Sequence, residues 1–380
     1  MFKKFSFIIV ACILLTTQTI SSQTKEEKIS SGIDYIYHIK FDSAQIIFNE
    51  IIRDNPQDPS GYFFLAMVDW WKINLNKEND SLDDLFFKKA DKVIEVAENR
   101  LDKNDRDDEA MFYKGGALGY SGLVRSLRES WLKAAEQGRE ALNLLQEAYE
   151  INPSNKDVIF GIGMYNYFAE YVPDKYPVVK PLMLIFPKGD KNKGLMQIKE
   201  SSQNSKYTKT EAKYVLAYLN LVYEKNYTEA EIYSKMLNEE YPENPIFEKY
   251  LYNSYNGLGK WEQALTGWKK IITEADSNTP GYTTLNIRRE ANYYAALCLL
   301  RLNRFNEAGE YIKVAEETTK ILDKEDEYAF TAFIYLISGM YNDFQGNRSL
   351  AENYYRKVIE MPNFQNSHSE AEKFLKEAYK

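Results

Sequence analysis

Apolar and polar positions along most of this chain follow the period of an amphipathic helix, and the helices come in pairs. A small residue is followed four positions later by an aromatic or aliphatic one, and a proline often comes after the second helix. Ala44 and Phe48, for example, precede Pro56 in this way. Small residues let two helices cross closely, while larger apolar residues fill the space beside the crossing. The pattern therefore predicts helical hairpins.

The hairpins recur most regularly in the C-terminal half. Four pairs of helices are marked by Tyr214, Ala217, Leu221 with Ala230, Ser234, Leu237; Leu251, Tyr255 with Ala264, Trp268, Ile271; Ala295, Ala296, Leu299 with Ala308, Ile312, Ala315; and Tyr335, Gly339 with Ala351, Tyr355, Val358. Helix-turn-helix units of roughly 34 residues are typical of the tetratricopeptide repeat. We therefore predict an all-α, right-handed superhelix of degenerate tetratricopeptide hairpins, closed by a capping helix from Ser369 to Lys380.

The N-terminal half keeps the hairpins but lengthens them, and one is interrupted. The interruption carries four prolines: Pro173, Pro177, Pro181 and Pro187. Because proline removes a backbone donor and clashes with the preceding turn, it excludes regular helix through much of this segment. We predict divergent hairpins over 23–205, with an insertion near 171–193, and regular hairpins with their cap over 206–380.

The first residues have a different pattern. Lys3 and Lys4 precede an apolar run from Phe5 to Leu15, and small polar residues follow it up to Ser22. This is the layout of a secretory signal peptide, and the run is shorter than the roughly 20 residues that span a bilayer. We predict that residues 1–22 are a signal peptide.

Cleavage is predicted near Ser21–Gln23, with export to the periplasm or to an outer-membrane-associated location of a bacterium. In the alternative interpretation, Ile9 to Cys12 form a lipoprotein box and Cys12 is acylated, although the apolar stretch before it is at the short end of the usual range. Loss of Cys12 would leave Cys298 as the only thiol, in an apolar helix where we predict it to be buried.

Charge and composition exclude some partners. The chain has a net charge of −8, and removal of Lys3 and Lys4 would make it more acidic. An acidic body is repelled by phosphate backbones, so nucleic acid is not an expected partner. Hydrophobic residues make up 44% of the chain, which is enough for a folded core.

Four segments carry a family resemblance: Gly115–Tyr120, Trp131–Gly138, Gly161–Tyr167 and Phe186–Leu195. With these segments the chain resembles a family of exported bacterial tetratricopeptide proteins, and it is faintly similar to the eukaryotic tetratricopeptide repeat protein 39 group. The resemblance covers roughly residues 61–251. It implies an all-helical repeat protein without assigned catalysis.

No motif predicts an enzyme, a metal site or a cofactor. Gly189–Gly194 has the glycine spacing of a phosphate-binding loop, but Leu195-Met196 replaces the required Lys and Ser or Thr. The acidic run Asp102–Glu109 lacks the turn glycine of a calcium loop. His38 and His368 are the only histidines and are far apart in sequence. We therefore predict a non-enzymatic protein.

Aromatic residues provide the main candidate surface, since the chain has 30 Tyr, 20 Phe and 5 Trp. Aromatic side chains often line recognition surfaces because they offer large area with few rotors. Phe160, Met164, Tyr167 and Phe168 occupy positions that usually face the concave side of a superhelix. The insertion near 171–193 either plugs this groove or closes over a ligand.

A second candidate is a carboxylate clamp. Lys249 and Asn253 occupy the first two positions with which some tetratricopeptide domains hold the C-terminus of a partner. The later positions fall on Tyr294, Phe333 and Ile337, which cannot donate the charge-assisted hydrogen bonds that complete the clamp. Lys249 and Asn253 therefore stay candidate partner-binding residues without the full motif.

These features predict a non-enzymatic scaffold or adaptor that binds a protein or peptide on its concave face in the bacterial cell envelope. The alternative is an envelope protein that binds a solute or glycan in an aromatic groove closed by the Pro-rich insertion. No cofactor is expected. Peripheral association with a membrane and the oligomeric state are left open by the sequence.

Overall fold

The computed structural model describes residues 23–175, 180, 186–323 and 329–380. Within these ranges there is no strand, and seventeen α-helices follow one another. They are α1 Lys25–Tyr37, α2 Phe41–Asp54, α3 Pro59–Leu75, α4 Asp83–Leu101, α5 Asp108–Leu127, α6 Trp131–Ile151, α7 Asp157–Lys175, α8 Lys191–Asn204, α9 Lys209–Tyr218, α10 Tyr227–Glu240, α11 Pro245–Gly257, α12 Trp261–Asp276, α13 Leu285–Arg301, α14 Phe305–Leu322, α15 Ala329–Phe344, α16 Arg348–Glu360 and α17 Ser367–Lys376. The predicted signal peptide, including Cys12, lies outside the described residues.

Each helix packs against the next one along the chain. The first helices of successive hairpins also contact each other, as α1 does with α3, α3 with α5, α5 with α7, α9 with α11 and α13 with α15. First helices therefore share an inner surface, as in stacked helical repeats. The predicted all-α architecture of helical hairpins is confirmed, and α17 lies at the end of the stack, where the capping helix is predicted.

Most hairpins turn on one residue with a left-handed backbone. These residues, each between the two helices of a pair, are Ile39, Glu129, Lys225, Gly259, Asn303 and Gly346. Only two of them are glycine, although glycine adopts a positive φ at the lowest cost. The repeated turn therefore depends on the packing of the two helices as well as on local preference.

The interrupted hairpin contains more regular helix than the prolines indicate. Helix α7 continues through Pro173 to Lys175, and α8 begins at Lys191 after residues 187–190, which form no regular secondary structure. Pro173 lies in the last turn of α7. Few helical residues follow it there, so the backbone hydrogen bond that proline cannot donate costs the helix little. Residues 176–179 and 181–185 of the predicted insertion lie outside the described ranges.

Gly189 and Gly194, which give this region the spacing of a phosphate-binding loop, lie close against the backbone of α7. A Cβ atom at Gly194 would lie 2.6 Å from the backbone nitrogen of Tyr167, and one at Gly189 would lie 2.4 Å from the carbonyl oxygen of Asn166. Backbone atoms cannot yield as a flexible side chain can. The two glycines therefore serve helix packing.

The buried apolar residues divide into two clusters that meet in α11. The first cluster extends from Ile29 to Phe247 and the second from Leu251 to Phe374. The predicted division at 205/206 stays a prediction. Cys298 is fully buried in the second cluster, as predicted, and burial raises the pKa of its thiol to about 12.

The N-terminal turn of the superhelix closes on itself. The end of α1 contacts the junction of α10 and α11, where Asn244 Nδ2 donates a hydrogen bond of 2.9 Å to the carbonyl oxygen of Tyr37. His38 Nδ1 lies 2.6 Å from Glu243 Oε1, and the rings of Tyr37 and Tyr241 are 5.3 Å apart. Helices α1 to α11 therefore surround an interior. No helix in the described part of the chain combines the length and apolar character needed to cross a membrane.

Candidate functional site

A cavity of about 460 Å³ lies inside the closed N-terminal turn, a volume in the range of small-molecule sites. The first helices α1, α3, α5, α7 and α9 all contribute to its wall, together with α6. The lining is mainly apolar and includes the aromatic residues Phe63, Phe64, Trp70, Phe112, Trp131 and Phe186. We call this space the aromatic cavity.

Glycines on α5 and α6 leave part of this space unfilled. A Cβ atom added at Gly119 would have no neighbour nearer than Ala141 Cβ at 4.0 Å, and one added at Gly138 would have none nearer than Tyr165 Cδ2 at 4.0 Å. Gly116 differs, because its added Cβ would lie 2.8 Å from the ring of Phe63. The glycine-rich stretch of α5 thus both allows close packing and creates room.

Glu211 on α9 is a buried acid at the aromatic cavity, as is Asp157, which accepts hydrogen bonds from the backbone N–H groups of Tyr207 and Thr208. The Tyr37 hydroxyl donates to Glu211 Oε2 at 3.0 Å, and Trp71 Nε1 donates to the same oxygen at 3.2 Å. The Tyr120 hydroxyl on α5 and the Trp70 indole N–H on α3 also lie near enough to Glu211 to lower its pKa. Burial raises the pKa of Glu211 to about 7, and these hydrogen bonds partly oppose the rise. One carboxyl group therefore connects α1, α3, α5 and α9 near the closure.

Three hydrogen-bond donors follow one face of α3 and its C-terminal end at helical spacing: Trp70, Asn74 and Lys77. The buried Trp70 Nε1 has no acceptor in hydrogen-bond geometry. Asn74 accepts a 3.3 Å hydrogen bond from the Tyr214 hydroxyl, but its buried Nδ2 donates to nothing. Lys77 Nζ lies 5.3 Å from the centre of the Tyr218 ring, and no carboxylate of the described residues is within ion-pair distance of it.

Lys77 is half-buried, and removal from water lowers its pKa to about 8, with a smaller contribution from the charge of Lys249. At neutral pH the ammonium form still predominates. Lys249 forms an ion pair with Glu290, and Asn253 Nδ2 donates to Glu290 at 3.3 Å. The two predicted clamp residues are thus brought together on α11, both against the same acid of α13. Their role in partner binding stays a prediction.

The four aromatic-groove candidates separate into two groups. Phe160, Met164 and Phe168 line the aromatic cavity. Tyr167 is fully buried, and its hydroxyl donates to Glu224 at 2.5 Å. The structure therefore brings three of the four to one place, while partner binding by any of them stays a prediction.

The insertion reaches the aromatic cavity through Phe186, whose ring lies 5.4 Å below the guanidinium carbon of Arg139. Most of the apolar segment 178–185 lies outside the described ranges. Whether the insertion plugs the space or closes over a ligand stays open between the two predicted alternatives.

Sequence reasoning did not single out Glu211, Asn74 or Lys77. The available signal is α3 itself, which is apolar on nearly all sides and is therefore expected to be buried. A polar residue on such a helix, such as Asn74, marks a position where a partner is needed. Among the described residues, no group of three or more His, Cys, Asp or Glu side chains could hold a metal ion.

Comparison with known proteins adds little beyond architecture. No family model matches the chain, and no curated protein matches it. Among solved structures it is similar to YrrB, a TPR protein with an unusual peptide-binding site, with 15% identity over 74% of this chain and 99% of that chain and a TM-score of 0.30. It is also similar to yeast Tom70, with 12% identity over 92% of this chain and 87% of that chain and a TM-score of 0.39.

A third similar structure is a tetratricopeptide repeat protein from Parabacteroides merdae, with 14% identity over 92% of this chain and 97% of that chain and a TM-score of 0.28. At these identities and TM-scores, no ligand or partner is carried over. The chain is thus similar to tetratricopeptide repeat proteins of solved structure, and its own site must be judged from its own geometry.

Proposed function

We propose that this protein binds a small, largely apolar ligand inside its N-terminal turn, in the envelope of a bacterium. The observation that carries the proposal is the aromatic cavity, surrounded by helices whose ends meet at the contact of α1 with α10 and α11. Sites for small molecules are concave, mainly apolar and largely preformed, with few polar groups. Of the two functions predicted from the sequence, this geometry favours solute binding.

The mainly apolar lining favours a hydrocarbon-rich ligand over a glycan, since a glycan has many hydroxyl groups that need hydrogen-bond partners. The adaptor role predicted from the sequence stays a prediction for the concave face of the C-terminal hairpins. Lys249 and Asn253, the residues predicted for it, already engage Glu290 within the chain.

The envelope location rests on the signal-peptide pattern of residues 1–22. Expression of the full chain in a bacterium with an outer membrane is expected to yield a mature protein that begins near residues 22–24. Mass spectrometry of the intact protein checks this. A mature chain beginning at an acylated Cys12 would support the lipoprotein alternative, and a full-length chain in the cytoplasm would contradict export.

Filling the aromatic cavity should abolish binding without unfolding the protein. Gly119→Leu places an apolar side chain in open space and replaces a helix-interior glycine, which costs about 1 kcal/mol relative to a good helix former. We expect the melting temperature to stay equal or rise, while affinity for the neutral fluorescent probe N-phenyl-1-naphthylamine falls at least about tenfold. Fluorescence titration and thermal denaturation measure the two effects.

Gln203→Leu, on the exposed side of α8, adds the same side chain outside the cavity and is the matched control. Gly138→Leu fills the cavity from α6 and is the second test variant, to be used if Gly119→Leu is unstable. A folded cavity-filled variant that binds the probe as well as the wild type contradicts the proposal. So does a wild-type protein that binds no apolar probe.

A further inference from the structure

The polar groups at the aromatic cavity are unequally satisfied. Glu211, a buried acid, accepts hydrogen bonds from Tyr37 and Trp71, and Tyr120 and Trp70 also lie near it. Asn74 Nδ2 is buried without an acceptor, and the half-buried Lys77, three residues further on, forms no hydrogen bond or ion pair with the described residues. Unpaired buried donors are uncommon in folded proteins, because water is not at hand to replace the lost partner. The deficit at this end of the cavity is therefore one of acceptors.

The charges around Lys77 also leave a negative partner missing. Of the neighbouring charges on α11 and α13, Lys249 and Glu290 form an ion pair with each other. The adjacent Glu78 is exposed to solvent, and Tyr218 presents the face of its ring. The ammonium group of Lys77 thus lacks a close counter-charge at the edge of a mainly apolar space. A monoanion would compensate this single charge, whereas a dianion would exceed it.

We propose, on the basis of the proposed function, that the ligand is an amphiphilic monocarboxylate whose carboxylate binds Lys77 Nζ and Asn74 Nδ2 and whose hydrocarbon chain occupies the aromatic cavity. A carboxylate has two oxygen atoms and can accept hydrogen bonds from both donors at once. Hydrogen bonds between ionised partners are the strong ones. The apolar chain removes hydrocarbon surface from water at the aromatic wall.

Glu211 determines the direction in which such a ligand lies. Its carboxyl group already accepts hydrogen bonds from Tyr37 and Trp71, and in its ionised form it repels a second carboxylate. The head group therefore binds at the Lys77 end, and the hydrocarbon chain extends past Glu211 between the rings contributed by α5, α6 and α7.

The test compares dodecanoate with 1-dodecanol, which has the same chain without the charge, by isothermal titration at pH 7. Wild type is expected to bind dodecanoate at least about tenfold more tightly than dodecanol. Lys77→Gln should lose this preference and keep its dodecanol affinity within about twofold. Lys77→Arg, which retains the charge, should restore part of the preference.

Lys88→Gln, at an exposed position on α4, is the control for loss of one positive charge and should behave as wild type. Equal binding of both probes by wild type, or an unchanged preference in Lys77→Gln, overturns the assignment of the head group and leaves the cavity function intact. Failure of wild type to bind either probe overturns the proposed function itself. Dodecanoate bound equally by the Gly119→Leu variant would place the ligand outside the cavity and overturn both.

Discussion

Trp71→Ala is expected to lower the free energy of unfolding by about 3–5 kcal/mol, as large-to-small changes at buried aromatic residues do. The Trp71 ring lies 5.0 Å from that of Tyr37 on α1, 5.1 Å from that of Tyr214 on α9 and 5.7 Å from that of Phe247 on α11. Its indole N–H also donates to Glu211. The variant should therefore loosen the contact of α1 with α11, which urea unfolding and hydrogen exchange measure.

Trp268→Ala provides a matched control in the second core. Trp268 is also fully buried, and its ring stacks on that of Tyr294 at 4.8 Å. A comparable loss of stability is expected, but amide exchange in α1 should stay at the wild-type rate. If α1 exchanges at the same rate in both variants, Trp71 does not hold the closure.

Glu211 should make the protein less stable as the pH rises from acid to neutral. Its pKa is 4.5 in the unfolded chain and about 7 in the folded protein, so between these values the folded state holds a proton that the unfolded state releases. The stability is fully present below pH 4.5 and is lost as the pH rises through 7. Between pH 5 and pH 8 this group alone should remove roughly 2–3 kcal/mol.

Glu211→Gln removes the titration and should flatten the stability profile between pH 5 and pH 8. The exposed Glu317→Gln on α14 makes the same change of charge and should keep the wild-type profile. Hydrogen bonds from Lys28 to Asp54, and from Lys25 and Ser60 to Asp58 against the opposing effect of burial, lower the pKa of both acids. The stability that they add is present above the ordinary Asp pKa of 3.8 and is lost only as the pH falls below it, outside this range. Urea unfolding monitored by Trp fluorescence at each pH measures this profile. If the dependence of stability on pH is the same in Glu211→Gln as in the wild type, Glu211 does not titrate in this range.

The two predictions concern the same region, because Trp71 and Glu211 meet at the closure that surrounds the aromatic cavity. If the closure loosens, the walls contributed by α1 and α9 move apart and the cavity loses its shape. Trp71→Ala should therefore also weaken probe binding, whereas Trp268→Ala should not. Stability of the N-terminal turn and ligand binding are thus linked through one set of contacts.

Amphipathic spacing was sufficient to predict the hairpins, because each helix buries a face against its sequence neighbours. Local sequence spacing predicts which residues are buried. It places Ala44 and Phe48 on the buried face of α2, and Ala295, Ala296 and Cys298 on that of α13, as the structure does. The same reasoning predicted inward positions for Phe160, Met164 and Phe168. It placed Tyr167 with them, although Tyr167 instead donates a hydrogen bond to Glu224. That contact depends on how the neighbouring hairpin packs against α7.

The repeat architecture, the paired helices and the lack of a recognisable catalytic motif were accessible from the amino-acid order alone, because they depend on contacts between near neighbours. The meeting of α1 with α10 and α11 was decided only in three dimensions. Small rotations between successive hairpins accumulate until Tyr37 reaches Glu211, 174 positions away, and Asn244, 207 positions away. No local sequence pattern specifies the total rotation. The cavity and its unpaired donors therefore follow only from the complete N-terminal turn.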